Sequence, residues 1–177
     1  MSKALLVGTP NSGKTALFNR LTGLNQRVAN YPGITVDISV GRMKGVEDWD
    51  LVDFPGTYSL RSISDEERVA VAHFETSLAD TEVGHVMCVV DATRLEKSLF
   101  FCLQVIRECR RHNRPMTVVA NMGDILKKHR LSIDVEGLST NPSRACCSGV
   151  SAHRRGGDAF AHLASVSHAN LRSYPGC

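Results

Sequence analysis

Residues 8–15 read GTPNSGKT, and no other stretch limits the possible folds as tightly. The octet fits G-x-x-x-x-G-K-[ST] in full, a pattern that functions only as a loop between a strand and a helix. Both flanks comply. Residues 4–7 are a short apolar run suited to a buried strand. Residues 14–22 put Leu17, Phe18 and Leu21 on one helical face, and Gly23 ends the helix. The glycines let the backbone around Asn11, Ser12, Gly13, Lys14, Thr15 and Ala16 close on phosphate oxygens. The helix N-terminus adds a partial positive charge. Lys14 can reach the β- and γ-phosphates of a nucleotide, and the Thr15 hydroxyl can bind Mg²⁺. A chance match in an unrelated loop is the competing reading, and the correct flanking elements weigh against it.

The rest of the chain alternates short apolar strands with amphipathic helices. Residues 35–43 alternate through Val36, Ile38 and Val40. Lys44-Gly45 marks a turn, and 49–54 return as the next strand of an antiparallel hairpin. Ser64-Asp65-Glu66-Glu67 has a capping-box pattern and opens a helix to about residue 77. Residues 85–91 enclose a continuous apolar run between His85 and Asp91, as a central parallel strand should. A helix is expected over 95–111, with Leu99, Leu103 and Ile106 inward. Residues 116–120 make another buried strand, 146–150 a weak one, and 158–171 a last helix. This order predicts one α/β domain: a mostly parallel six-stranded sheet with one antiparallel edge strand and helices on both faces.

Composition sets limits. With 177 residues, 42% hydrophobic and 22% charged, the chain can build one ordinary core. A net charge of +3 is too small to argue for nucleic acid or a membrane surface. No run is long enough to span a bilayer, and 4–7 is too short for a signal peptide, so a cytoplasmic setting is expected. The cysteines are Cys88, Cys102, Cys109, Cys146, Cys147 and Cys177, with no Cys-x-x-Cys pair. Reduced, buried thiols are expected. Cys146-Cys147 fits no common metal spacing.

Three further stretches carry chemistry. Asp53-Phe54-Pro55-Gly56 closes a strand, which places Asp53 to hold Mg²⁺ through water and the Gly56 N–H to sense a γ-phosphate. A plain surface turn is the alternative. Asn121-Met122-Gly123-Asp124 has the N-x-x-D spacing that selects guanine. Asp124 can accept from the guanine N1–H and 2-amino groups, and Asn121 can tie this loop to the phosphate loop. Met122 stands where a lysine is usual, and its stem can lie along the base. Ser151-Ala152 resembles a short loop that offers an N–H to the guanine oxygen, with an ordinary loop as the competing reading. Thr35, between the first helix and the hairpin, can complete a Mg²⁺ shell, an assignment that depends on the other motifs.

Taken together these motifs resemble a Ras-like P-loop GTPase of the translation-factor-related branch. NSGKTALFNRLTG, QRVANYPGITVD, DFPGTYSL and NMGDI closely resemble FeoB, the bacterial ferrous iron transporter family, over about residues 3–160. The resemblance implies a G domain at 1–172 with a tail at 173–177. It places the family's helical regulatory domain and membrane domain outside this chain. It also implies GTP and GDP as ligands, Mg²⁺, and a role in ferrous iron transport at the cytoplasmic face of the bacterial inner membrane. The partner would be the membrane permease part of the same protein, with no nucleic acid and no direct iron site in this chain.

Ras-like switches carry a glutamine just after D-x-x-G to orient the attacking water. Here that residue is Thr57, and slow hydrolysis is expected. Arg61 can serve as an arginine finger, or be a solvated switch residue. Asn11 offers a different route, as an oxygen ligand for a monovalent cation between the β- and γ-phosphates, with carbonyls of 29–31 completing the shell. The FeoB resemblance implies this arrangement with K⁺. The competing reading is that Asn11 only stabilises its loop. Lys14, Thr35 and Gly56 complete the expected catalytic set. A rival within the same fold is a ribosome- or tRNA-associated RNA-binding GTPase, which predicts a basic face and an attached RNA-binding module.

Overall fold

Successive side chains of the first strand leave it on opposite sides. Leu5 and Val7 join one hydrophobic cluster, and Ala4 and Leu6 join another. A strand buried on both faces belongs inside a sheet covered on both sides, and the computed structural model has that architecture. It describes residues 2–23, 26–29, 38–46, 48–61, 65–133 and 147–152, with 26–29, 65–67 and 147–152 described by their backbone.

The elements are β1 (Ser2–Gly8), α1 (Lys14–Thr22), β2 (Gln26–Ala29), β3 (Ile38–Arg42), β4 (Trp49–Asp53), α2 (Asp65–Ala79), β5 (Val83–Asp91), α3 (Leu95–Arg111), β6 (Met116–Asn121), α4 (Gly123–Lys128) and β7 (Cys147–Ala152). A 3₁₀ turn, Ala92–Arg94, leads into α3. The sheet has seven strands in the order β2-β3-β4-β1-β5-β6-β7. β4, β1, β5, β6 and β7 run parallel, and β3 runs antiparallel to both β2 and β4. Phe74, Leu78, Phe101 and Val105 bring α2 and α3 onto one face. Leu17, Phe18 and Leu21 bring α1 onto the other.

Four expectations need correction. The sheet has seven strands rather than six, and the antiparallel strand is not the edge. β2 flanks it, pairing Gln26 with Gly41 and Ala29 with Ile38. QRVA is too short and too polar to announce a strand, and its neighbour's open hydrogen-bonding edge makes it one. On α3, the buried residues are Ser98, Phe101, Cys102, Val105, Ile106 and Cys109. Of the three side chains expected inward only Ile106 is buried, Leu99 is half-buried, and Leu103 is 53% exposed. Two apolar stripes compete on this helix, and the one that carries Ser98, Cys102 and Cys109 is the buried one. The strand expected at 146–150 is Cys147–Ala152, so Ser151 and Ala152 end a strand rather than occupy a loop. The expected helix at 158–171, Cys146 and Cys177 lie outside the described residues. Cys88, Cys102 and Cys109 are buried and form no disulfide among the described residues.

Candidate nucleotide-binding site

Because β1, β4, β6 and β7 are parallel, their C-terminal ends meet along one edge of the sheet, where open α/β folds bind ligands. Gly8, Asp53, Asn121 and Ala152 end these strands.

The loop after Gly8 has little room. A Cβ on Gly8 would stand 2.7 Å from the Val89 carbonyl oxygen. Asn11 has φ 62° and Gly13 φ 80°, both left-handed. Asparagine tolerates that region better than most residues, which gives Asn11 a backbone reason to be there. Its side chain is exposed and shows no partner among the described residues. Gly13 caps α1 without a side-chain hydrogen bond, and no acid lies in the first turn. The N–H groups at this helix end therefore stay available to an anion.

Thr9, Pro10, Asn11, Gly13, Lys14, Thr15 and Gly56 enclose a cavity of about 390 Å³. Of these, Lys14 forms an ion pair through its ammonium with the Asp53 carboxylate, with both side chains nearly buried. Burial pushes the Asp53 carboxyl above the usual carboxylate range, and Lys14 partly offsets this. Gly56 closes the far wall, where a Cβ would stand 3.1 Å from Pro10 Cα and N.

The base-side loop is tied to the phosphate loop: Asn121 Nδ2 donates to Ser12 O at 2.9 Å. Met122 has φ 65° and precedes α4, with Asp124 in its first turn. A Cβ on Gly13 would stand 2.2 Å from Asn121 Nδ2 and 3.2 Å from Met122 Cε. Gly13→Ala should therefore break this tie as well as strain a left-handed backbone. A loss of about 1–3 kcal/mol is expected in urea unfolding, the usual scale for such positions. Stability within about 0.5 kcal/mol of the parent, the noise of a neutral surface change, would refute this.

Ser151 and Ala152 lie beside Val119 and Ala120, just before Asn121. Thr35 and residues 30–31 lie outside the described residues, and Ala29 ends β2. Arg61 is exposed, and its backbone N–H donates to Ser59 Oγ at 2.9 Å. Among the described residues no group of three or more His, Cys, Asp or Glu can hold a metal ion. No described helix is long and apolar enough to cross a membrane.

Two residues of the site's surroundings were missed from sequence, Ser98 and Gln104 of α3. Ser98 Oγ accepts from Asp91 N at 3.1 Å and lies 3.4 Å from Thr9 Oγ1. Gln104 binds the segment after Gly56. The available signal was a serine on an otherwise apolar stripe, which must find a partner when buried.

The family described as Ferrous iron transport protein B (FeoB_N) matches residues 2–163. The Fe(2+) transporter FeoB of Salmonella typhimurium is 42% identical over 140 residues, covering 76% of this chain and 17% of the relative. That of Legionella pneumophila is 39% identical over 145 residues, covering 79% and 18%. The chain thus spans about a sixth of the length of these relatives. Among solved structures, a GDP-bound mutant of S. thermophilus NFeoB superposes with TM-score 0.80 at 33% identity, over 99% of this chain and 65% of that one. S. thermophilus NFeoB bound to GDP.AlF4- and K+ superposes with TM-score 0.71 at 37% identity, over 93% and 61%. Matching motifs, sheet topology and these comparisons agree that the chain belongs to the Ferrous iron transport protein B family, in its N-terminal G domain.

Proposed function

We propose that this chain binds GTP and GDP with Mg²⁺, hydrolyses GTP slowly to GDP and phosphate, and is stimulated by K⁺. In this reading residues 1–172 form the G domain and 173–177 a tail. The domain regulates ferrous iron passage through the membrane part of a longer protein, from the cytoplasmic face of the inner membrane. The carrying observation is the cavity lined by Lys14 at the uncapped N-terminus of α1, with Asp53 paired to that lysine. A cation for phosphate and a carboxylate for Mg²⁺ are thereby held at one point.

The residues present suit these groups. Thr15 and Asp53 offer the hard oxygen donors that Mg²⁺ prefers, with Thr35 as a third in this reading. Asn11 lines the same cavity with an exposed amide oxygen for K⁺. When bound, the two cations supply positive charge to phosphate oxygens as negative charge develops there. Lys14 exchanges its contact with Asp53 for the β- and γ-phosphates. The N–H groups of residues 11–16 hold the phosphate chain, and the Gly56 N–H meets the γ-phosphate. Asn121 braces the loop that carries Asp124 to the guanine edge. Met122 flanks the base, and Ser151-Ala152 offer the N–H for its oxygen. The solved relative with GDP.AlF4- and K+ supports the cation assignment.

The test is GTP turnover in K⁺ and in Na⁺, with ATP as control. K⁺ should accelerate turnover by about tenfold, the factor of one contact of about 1.4 kcal/mol in the transition state. Asn11→Ala should abolish the difference. Asn11→Gly should do so too, because glycine accepts the left-handed backbone but has no side-chain oxygen. Equal rates in both salts would remove the cation role and leave Asn11 a loop residue. No preference for guanine over adenine nucleotides would overturn the whole reading.

A further inference from the structure

One side chain of α3 holds the segment that follows Gly56. Gln104 Oε1 accepts from Leu60 N at 2.8 Å and from Ser59 Oγ at 3.1 Å. Nearer the cavity, Thr57 is buried and closes a turn. Its Oγ1 donates to Ser59 O at 2.9 Å and accepts from Ser59 N at 3.3 Å. Gly56 is thus confined between this turn and Pro10 of the phosphate loop. Six residues before Gln104, Ser98 of the same helix contacts Thr9. A rigid helix therefore spaces the two walls of the cavity, one through Ser98 and one through Gln104.

We propose that Gln104 is a positioning residue that sets where the Gly56 N–H stands against the phosphate loop. It thereby sets how well the site distinguishes a triphosphate from a diphosphate. The inference rests on the guanine-nucleotide reading above, in which Gly56 meets only the γ-phosphate. A displaced Gly56 is then felt by GTP and not by GDP. The amide oxygen of Gln104 is the working atom, because Nε2 is buried with no partner among the described residues. Glutamate keeps that oxygen, and leucine removes it.

The experiment compares binding of GDP and of a non-hydrolysable GTP analogue to the parent chain, Gln104→Leu, Gln104→Glu and Ser59→Ala. Amide exchange at Leu60 is followed without added nucleotide. Gln104→Leu should weaken the triphosphate analogue about tenfold and GDP by less than about twofold, the scale of one lost hydrogen-bonding contact. Gln104→Glu should bind both nucleotides as the parent does, and Leu60 exchange should accelerate only in Gln104→Leu. Equal weakening of both nucleotides would make Gln104 merely structural and overturn the proposal, as would no change in either. If Gln104→Leu does not fold, Ser59→Ala removes one of the two bonds at a partly exposed position and must show the same split. If no chain binds guanine nucleotides, the functional reading fails separately. Leu60 exchange then decides whether Gln104 holds the segment, and an unchanged rate overturns that too.

Discussion

Lys14→Ala is expected to lower affinity for both GTP and GDP by about 100-fold, since a hydrogen bond to a charged group contributes about 1.5–3 kcal/mol. Residual turnover should fall by a further factor of about 10²–10³, the usual cost of removing one preorganised electrostatic donor. Titration calorimetry and single-turnover kinetics separate the two losses. Affinity within about twofold of the parent, well below the loss of one charged contact, would show that Lys14 does not meet the phosphates. The substitution also acts on the protein alone. Lys14 is the ion-pair partner shown for Asp53, and without it burial acts unopposed on that carboxyl. Its folded-state pKa then rises further above the unfolded value, so the folded state binds the proton more readily. Stability of the variant relative to the parent should therefore rise as pH falls and decline as pH increases. Urea unfolding at pH 4.5 and pH 7 reads this directly, and a constant difference between the two proteins would refute it.

His85 should make the fold acid-sensitive. It is buried near the start of β5, and its Nε2 pairs with Thr117 Oγ1 at 2.9 Å. Its Nδ1 is buried with no partner among the described residues, so a second proton would create an unsatisfied buried donor. Burial lowers its pKa from 6.5 to about 4. An unfolded chain binds this proton below pH 6.5, while the folded chain resists it until about pH 4. The stabilising contribution is thus complete above pH 6.5, declines through that interval and levels off below it. At 1.36 kcal/mol per unit the full decline is about 3 kcal/mol. His85→Leu should remove most of this slope, although Thr117 then loses its partner and overall stability falls. Parallel stability–pH curves for parent and variant between pH 4 and 7 would exclude His85 as the origin.

Much of the layered fold was legible because local pattern and tertiary demand coincide. The runs around Leu5 and Val89 are apolar at every position, and only a two-sided core accepts that. GTPNSGKT imposes its own backbone, with Asn11 and Gly13 at left-handed positions, so its flanking strand and helix follow. Where local pattern was silent or divided, packing decided. QRVA became β2 only because β3 presented an open edge. Six residues from Gly123 to Lys128 were too few to show a helical period. The face of α3 could not be chosen from periodicity, since Leu99, Leu103 and Ile106 compete with Phe101, Cys102 and Val105.

The site divides along the same line. Which residues are candidates to meet phosphate, Mg²⁺ and guanine follows from spacing, because each motif is a short segment whose proposed chemistry is local. The pairing of Lys14 with Asp53, the tie from Asn121 to Ser12 and the hold of Gln104 on Ser59 and Leu60 join residues 39, 109 and about 45 positions apart. No local pattern encodes such contacts. They exist because five parallel strands bring their C-terminal ends to one edge and α3 packs across β5, and only that assembly sets which side chains meet.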